Sequence, residues 1–153
     1  PRALVEDRNW LTRNESIGMS EDSADSKKLY CPIEPRPVTT HEAAVIEWLL
    51  DYAAVQDVTA FRTTPAAALK VVGHCGCGCC ASLDFQPFSK EILPYRMLAD
   101  AIAKYPDSQQ SGLILWGTGE SAIAWLEIHD MDPVADRFPD IADLRRWEDL
   151  AQP

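Results

Sequence analysis

The side chains with the greatest capacity for chemistry lie in one short stretch, His74-Cys75-Gly76-Cys77-Gly78-Cys79-Cys80. It contains four of the five cysteines in the chain. Thiolate sulfur and imidazole nitrogen are ligands that zinc prefers, and thiolates also select copper(I). We therefore interpret this stretch as a candidate metal site, with zinc as the first metal to consider. The candidate ligands are His74, Cys75, Cys77, Cys79 and Cys80.

The spacing of these cysteines differs from that of common zinc modules. Structural zinc sites usually place two or more residues between paired cysteines, so that the backbone can wrap the ion. Here the intervals between successive cysteines are one, one and zero residues. A complete ligand set would need remote residues, for which the sequence offers Cys31, His41 and His129.

Two other interpretations of the stretch stay open. In the first, the cysteines pack as small apolar residues and the glycines form a tight connection between strands. In the second, one thiol is the nucleophile of a cysteine-dependent redox enzyme. That chemistry needs a group that lowers the thiol pKa, and neighbours on a strand such as His74 and Cys75 point apart. We therefore lean away from an enzyme.

A second group of polar side chains lies on one strand-like segment near residue 127. Trp125, Glu127 and His129 alternate there, so they share one face of the predicted strand. Asp130 and Asp132 follow, and carboxylates beside a histidine would also permit acid–base or metal chemistry. Because an exposed tryptophan on a polar face is typical of a contact surface, we expect Trp125, Glu127 and His129 to contact a partner.

The composition limits the class of partner and the compartment. The formal net charge is −10, and such a chain repels phosphate backbones and anionic lipid. We therefore expect no nucleic acid and no membrane partner, and instead an unidentified protein or small molecule with a basic face or a cation. Clustered cysteines and the lack of a signal-peptide pattern predict a cytoplasmic protein with reduced thiols. The sequence does not indicate an oligomeric state.

Hydrophobic periodicity predicts one main helix and two hairpins. A helix is expected from about Thr40 to Ala54, with Thr39 and Glu42 as a capping box. Alternating residues at 69–74 and 81–86 predict a hairpin around the cysteine stretch. Residues 113–116 and 121–129, joined by a Gly-Thr-Gly-Glu turn, predict a second hairpin.

The remaining segments give weaker patterns. Residues 96–105 fit a helix by their alanines but equally suit a strand between the hairpins. Asp140 and Asp143 predict the cap of a short helix that runs to about Trp147. We therefore expect an α+β fold in which one main helix packs on an antiparallel sheet of four or five strands built from two hairpins, with a short C-terminal helix. Residues 1–37 are predicted to be a polar, flexible arm, and 38–153 a single domain.

Several short motifs carry a resemblance to other proteins. They are residues 71–82, which include Cys-Gly-Cys-Gly-Cys, and the segments Leu115-Trp116, Leu126-Glu127-Ile128 and Phe138-Pro139-Asp140. In these motifs the chain resembles a family of bacterial proteins with a cysteine-rich hairpin and no assigned activity. The resemblance covers roughly residues 40–147 and implies an architecture in which 96–105 is more strand-like.

These observations favour a small non-enzymatic binding or interaction protein. A metal-binding protein that uses the cysteine-rich hairpin is one alternative, and a cysteine-dependent redox enzyme is another.

Overall fold

The computed structural model describes residues 30–76, 80–86, 94–106, 109–130 and 138–150, with only the backbone of Tyr30 and Asp130. In chain order these residues form β1 (Tyr30–Pro37), α1 (Thr40–Tyr52), β2 (Lys70–Cys75), β3 (Leu83–Asp84), β4 (Tyr95–Lys104), β5 (Gln110–Thr118), β6 (Ala122–Asp130), β7 (Leu144–Arg145) and α2 (Trp147–Leu150). Single 3₁₀ turns lie at Thr59–Arg62, Ala66–Ala68 and Ile141–Asp143.

The described strands form one antiparallel sheet in the order β1-β2-β3-β6-β5-β4-β7. The prediction of four or five strands built from two hairpins is therefore wrong, because the sheet has seven strands in this part of the chain. The two predicted hairpins correspond to β2–β3 and β5–β6, and β4 with β5 forms a third pair of consecutive antiparallel strands. The strands with no recognisable pattern, β1 and β7, lie at the two edges.

Three prolines make β1 difficult to recognise as a strand from the sequence. Proline has no N–H to donate, so it occurs in sheets mainly on edge strands, where half of the backbone groups face away from the sheet. β1 contains Pro32, Pro35 and Pro37 and pairs with β2 alone. Within the described residues, the sheet therefore includes the chain from Tyr30, ahead of the predicted domain boundary at residue 38.

β4 covers the segment whose structure the sequence left open. Its alanines favour a helix in isolation, but β4 pairs with β5 from Tyr95 opposite Thr118 to Lys104 opposite Gln110. Ala99, Ala101 and Ala103 are fully buried in the core. Tertiary packing on both sides of the strand thus overrides the intrinsic preference of its alanines.

α1 begins with the predicted capping box, which the structure confirms. Glu42 N donates to Thr39 Oγ1 at 3.1 Å, and Thr39 N donates to Glu42 Oε2 at 2.7 Å. Arg36 of β1 adds two hydrogen bonds to the same carboxylate, at 2.9 and 2.7 Å. Burial works to raise the pKa of Glu42, but the bonds from Arg36 and Thr39 outweigh it, and the pKa is lowered. One buried carboxylate therefore joins the sheet edge to the helix.

The hydrophobic core lies between α1 and one face of the sheet. From α1 it takes Val45, Ile46, Leu49 and Leu50, and from the central strands Leu113, Leu115, Leu126 and Ile128. All of these are at most 3 % exposed. The core cluster thus lies on one of the two sheet faces, and on the opposite face Ile102 is also buried, at 1 % exposed.

The predicted helix from Asp140 to about Trp147 is wrong. A 3₁₀ turn at Ile141–Asp143 leads into β7, where Leu144 is buried opposite Ala103, and α2 only begins at Trp147. A buried backbone pairing thus replaces the helical turn that the two aspartates suggested.

Among the described helices, none is long and apolar enough to cross a membrane.

Glu42→Gln tests the junction between β1 and α1. We expect the free energy of unfolding at neutral pH to fall by about 1–3 kcal/mol, since a charged, partly buried hydrogen-bond partner is lost. The folded-state pKa of Glu42 lies below its ordinary value of 4.5, so its contribution is complete above that value and is lost as the pH falls through the folded pKa. Urea unfolding at neutral and acidic pH measures both effects.

The matched control is Glu148→Gln, whose carboxyl is 77 % exposed. It should leave stability unchanged. If wild type and Glu42→Gln lost stability equally on acidification, Glu42 would not be the group whose protonation weakens the junction.

Candidate functional site

Three rows of side chains cross the sheet face opposite α1, which we call the far face. Residues directly opposite each other on neighbouring strands share a face. The first row is Met97, Trp116, Trp125 and Asp84; the second is Asp100, Ile114 and Glu127; the third is Ile102, Gly112 and His129. Within the described part of the chain, none of these residues belongs to the core cluster.

Three aromatic rings lie together on the far face. The rings of Trp116 and Trp125 are stacked, with centroids 5.4 Å apart and planes 27° from parallel. Tyr95, which shares the face of Met97 by strand alternation, meets Trp125 edge to face at 4.6 Å. Tyr95 is 41 % exposed and both tryptophans are half-buried. The cluster therefore presents aromatic surface to the solvent on the side away from the core.

Two carboxylates of the second row accept hydrogen bonds from tryptophans. Trp116 Nε1 donates to Glu127 Oε2 at 2.8 Å, which holds the Trp116 ring against its neighbour. Trp147 Nε1 donates to Asp100 Oδ1 at 2.8 Å, so the start of α2 is attached to β4. Each carboxylate keeps lone pairs beyond these single bonds. The second row therefore combines ordered rings with negative charge.

Asp84, the last residue of the first row, differs from Glu127 and Asp100 in its pKa and its hydrogen bonding. Burial is the largest influence on its carboxyl and raises the pKa, while the nearby His74 partly opposes the shift through its charge. No described residue donates a hydrogen bond to the Asp84 side chain. A half-buried carboxylate without a donor is energetically costly, so Asp84 is unusual among the polar groups described.

The imidazole of His129 lies directly above Gly112 of β5. An added Cβ at Gly112 would overlap Cε1 and Nε2 of the His129 ring. The absence of a side chain at Gly112 therefore lets the imidazole approach the sheet closely. His129 remains exposed, and its position is set by packing on the strand rather than by Glu127, which is engaged by Trp116.

The structure brings Trp125, Glu127 and His129 onto one face, as their alternation predicted. A strict two-residue alternation would put Ile123 on the same face, but Ile123 enters the core because the ladder is irregular between Trp116 and Gly117. The side chain of Asp130 and the whole of Asp132 lie outside the described residues.

Sequence reasoning missed Tyr95, Trp116 and Asp84 as members of the site. Trp116 was not found because the predicted hairpin, closed by the Gly-Thr-Gly-Glu turn, pairs it with Ser121; the irregularity next to Gly117 brings it opposite Trp125. Tyr95 lies on β4 and Asp84 on β3, and neither strand directly precedes or follows β6 in the chain. Their proximity to Trp125 therefore follows only from the order of strands in the sheet.

The cysteine-rich stretch connects β2 to β3. Cys31 lies opposite His74 in the β1–β2 ladder, and Cys80 Sγ is 3.3 Å from Ser82 Oγ. Ser82 Oγ in turn bonds both N and O of Ile128, which ties the end of the connection to β6. Cys31, Cys75 and Cys80 are half-buried thiols outside disulfides.

The predicted metal site cannot be assembled from the described residues. Among them, no three His, Cys, Asp or Glu side chains form a group able to hold a metal ion. Cys77 and Cys79 lie outside the described part, so the zinc site stays a prediction. Of the two, the far face is the stronger candidate site, because its described residues combine aromatic rings with carboxylates. Both kinds of group attract positive charge.

Gly112→Ala tests the position of His129. We expect the new methyl group to push the imidazole off the sheet and to lower the free energy of unfolding by about 1–3 kcal/mol, the usual cost of overpacking. Chemical denaturation measures the loss, and His129 ring NMR shifts report the displacement. In the Gly112→Ala/His129→Ala double variant, the cost of the added methyl should largely disappear; equal costs in both backgrounds would contradict the contact.

Comparison with known families, with curated proteins and with solved structures finds no match to this chain.

Proposed function

We propose that this protein is a non-enzymatic binding protein whose far face holds a positively charged segment of a protein partner. The observation that carries this proposal is the cluster of Tyr95, Trp116 and Trp125 beside carboxylates on a face that α1 leaves uncovered. Aromatic rings with polar edges are the residues most often found at the centre of binding surfaces.

Charge supports a cationic partner. The chain carries a net charge of −10, which steers basic partners toward it and repels acidic ones. Asp84, Asp100 and Glu127 place three of the acidic side chains in the first two rows of the far face. A lysine or arginine over an indole ring gains about 0.5–2 kcal/mol, depending on its exposure to water.

Neither edge of the described sheet is well suited to pairing with a strand of a partner. At the outer side of β4, Val55 N donates to Leu98 O and Asp100 N donates to Ala53 O, while β7 pairs further along. At the other edge, the prolines of β1 remove backbone donors. Addition of a partner strand at either edge is thereby disfavoured, so side-chain recognition on the far face is the better supported mode.

The other functions named from the sequence depend on the cysteine-rich connection. A metal-binding protein or a cysteine-dependent redox enzyme would both draw on Cys77 and Cys79, outside the described residues. We include a cytoplasmic location in the proposal, because four of the five cysteines lie in one short stretch instead of spreading along the chain as a disulfide framework would.

A basic peptide provides the test. We expect an arginine- and lysine-containing peptide to bind and to shift the indole NMR signals of Trp116 and Trp125, whereas an acidic peptide of equal length should not. Trp125→Ala should weaken binding by about tenfold, since it removes an aromatic face worth about 1–2 kcal/mol. Isothermal calorimetry or fluorescence anisotropy measures the affinity.

The control uses two exposed tyrosines on opposite sides of the sheet. Tyr95→Ala should weaken peptide binding, while Tyr52→Ala on α1, where the native ring is 62 % exposed, should not. Shifts that map to α1 instead, or equal affinity of wild type and Trp125→Ala, would reject the far face as the binding surface.

A further inference from the structure

Asp84 stands at a distinctive place in the first row of the far face. On one side, the residue opposite it is Trp125 of β6; on the other, it is Gly73 of β2, which has no side chain. Directly opposite side chains on antiparallel strands have Cβ atoms about 5 Å apart. The carboxylate therefore has an indole opposite it on one flank and a residue without a side chain opposite it on the other.

The Asp84 carboxylate also lacks the partners that a half-buried charge normally has. None of the described residues donates a hydrogen bond to it, and His74 influences it through charge without a hydrogen bond. Elsewhere on the same face, Glu127 and Asp100 are each bonded to an indole N–H. Asp84 is thus the far-face carboxylate that receives no hydrogen bond from a described residue, and its partial burial strengthens any charge pairing.

We propose that Asp84 and Trp125 form a subsite for a guanidinium group, so that the partner is recognised through an arginine side chain. This inference rests on the proposed function and names the chemistry of its central contact. The guanidinium pairs with both oxygens of Asp84 and lies against the indole of Trp125. Glu127, two residues along β6 on the same face, adds a second negative charge about 7–8 Å away.

Guanidinium fits this arrangement better than other cations. It is planar, donates two parallel N–H bonds to one carboxylate and stacks on aromatic rings, whereas an ammonium is a more strongly hydrated point charge. A metal ion would need further ligands, and the described residues offer no group of three around Asp84. The pairing of one carboxylate with one ring therefore matches arginine.

Three blocked peptides, identical except for one central arginine, lysine or citrulline, test the subsite on the full chain. We expect the arginine peptide to bind about tenfold more tightly than the lysine peptide, and the uncharged citrulline peptide to bind more weakly still. Titration followed by NMR of the Trp125 indole and of the Asp84 amide measures these affinities.

Asp84→Asn is the decisive variant. It should abolish the preference for arginine over lysine while leaving the midpoint of thermal unfolding unchanged or higher, since it removes a half-buried charge that has no hydrogen-bond donor. A purely structural role for Asp84 would instead lower the midpoint. Asp84→Glu should restore part of the preference, and Glu120→Gln, a charge removal at the exposed β5–β6 turn, should leave it intact.

The outcomes separate this inference from the proposed function. If basic peptides bind the far face but arginine and lysine do equally well, or Asp84→Asn keeps the preference, the guanidinium subsite is wrong and the binding face stands. If none of the cationic peptides shifts the far-face signals, both are wrong.

Discussion

The register between β5 and β6 determines what each face of the sheet contains. Trp116 lies opposite Trp125, and Leu115 opposite Leu126. Because side chains alternate with a period of two, a slip of β6 by one residue against β5 would carry Trp125 into the core and Leu126 into solvent. The ring stack and the Trp116–Glu127 hydrogen bond require this register on one face, and the packing of α1 requires it on the other. Core and candidate site therefore depend on a single pairing.

The other described elements flank the β5–β6 hairpin and cover the outer edges of the sheet. β3 and β4 flank it, and the segment after α1 closes the outer side of β4 through the backbone of residues 53–55 and the Gln56 side chain, which donates to Met97 O. At the opposite edge, Arg36 and Glu42 fasten β1 to the start of α1. These contacts leave few backbone groups for pairing with another chain, so the free surface is largely side chain.

The elements that could be predicted are those with long, regular patterns. The capping box at Thr39 and Glu42 locates α1, and alternation in β6 places Trp125, Glu127 and His129 together. β1 was not predicted because its three prolines interrupt any strand pattern, and β7 because two residues are too few to show a period. The structure of β4 stayed open because its alanines suit a helix or a strand. The position of Ile123 depends on a local irregularity that no two-residue period contains. Asp84 was missed for a different reason: the indole beside it belongs to β6, which is remote from β3 in sequence.

Asp84 shows how stability and binding can oppose each other on this surface. Most polar groups of the far face serve the fold: Glu127 orients Trp116, Asp100 anchors α2, and His129 fills the space above Gly112. The Asp84 carboxylate has no such bond to a described residue, and its raised pKa means that burial disfavours the charged form in the folded chain. Its folded state therefore binds protons more readily than the unfolded chain, and this group costs stability as the pH rises through its pKa. A cation placed against Trp125 would remove that cost, so the same burial that destabilises the free protein would strengthen the complex.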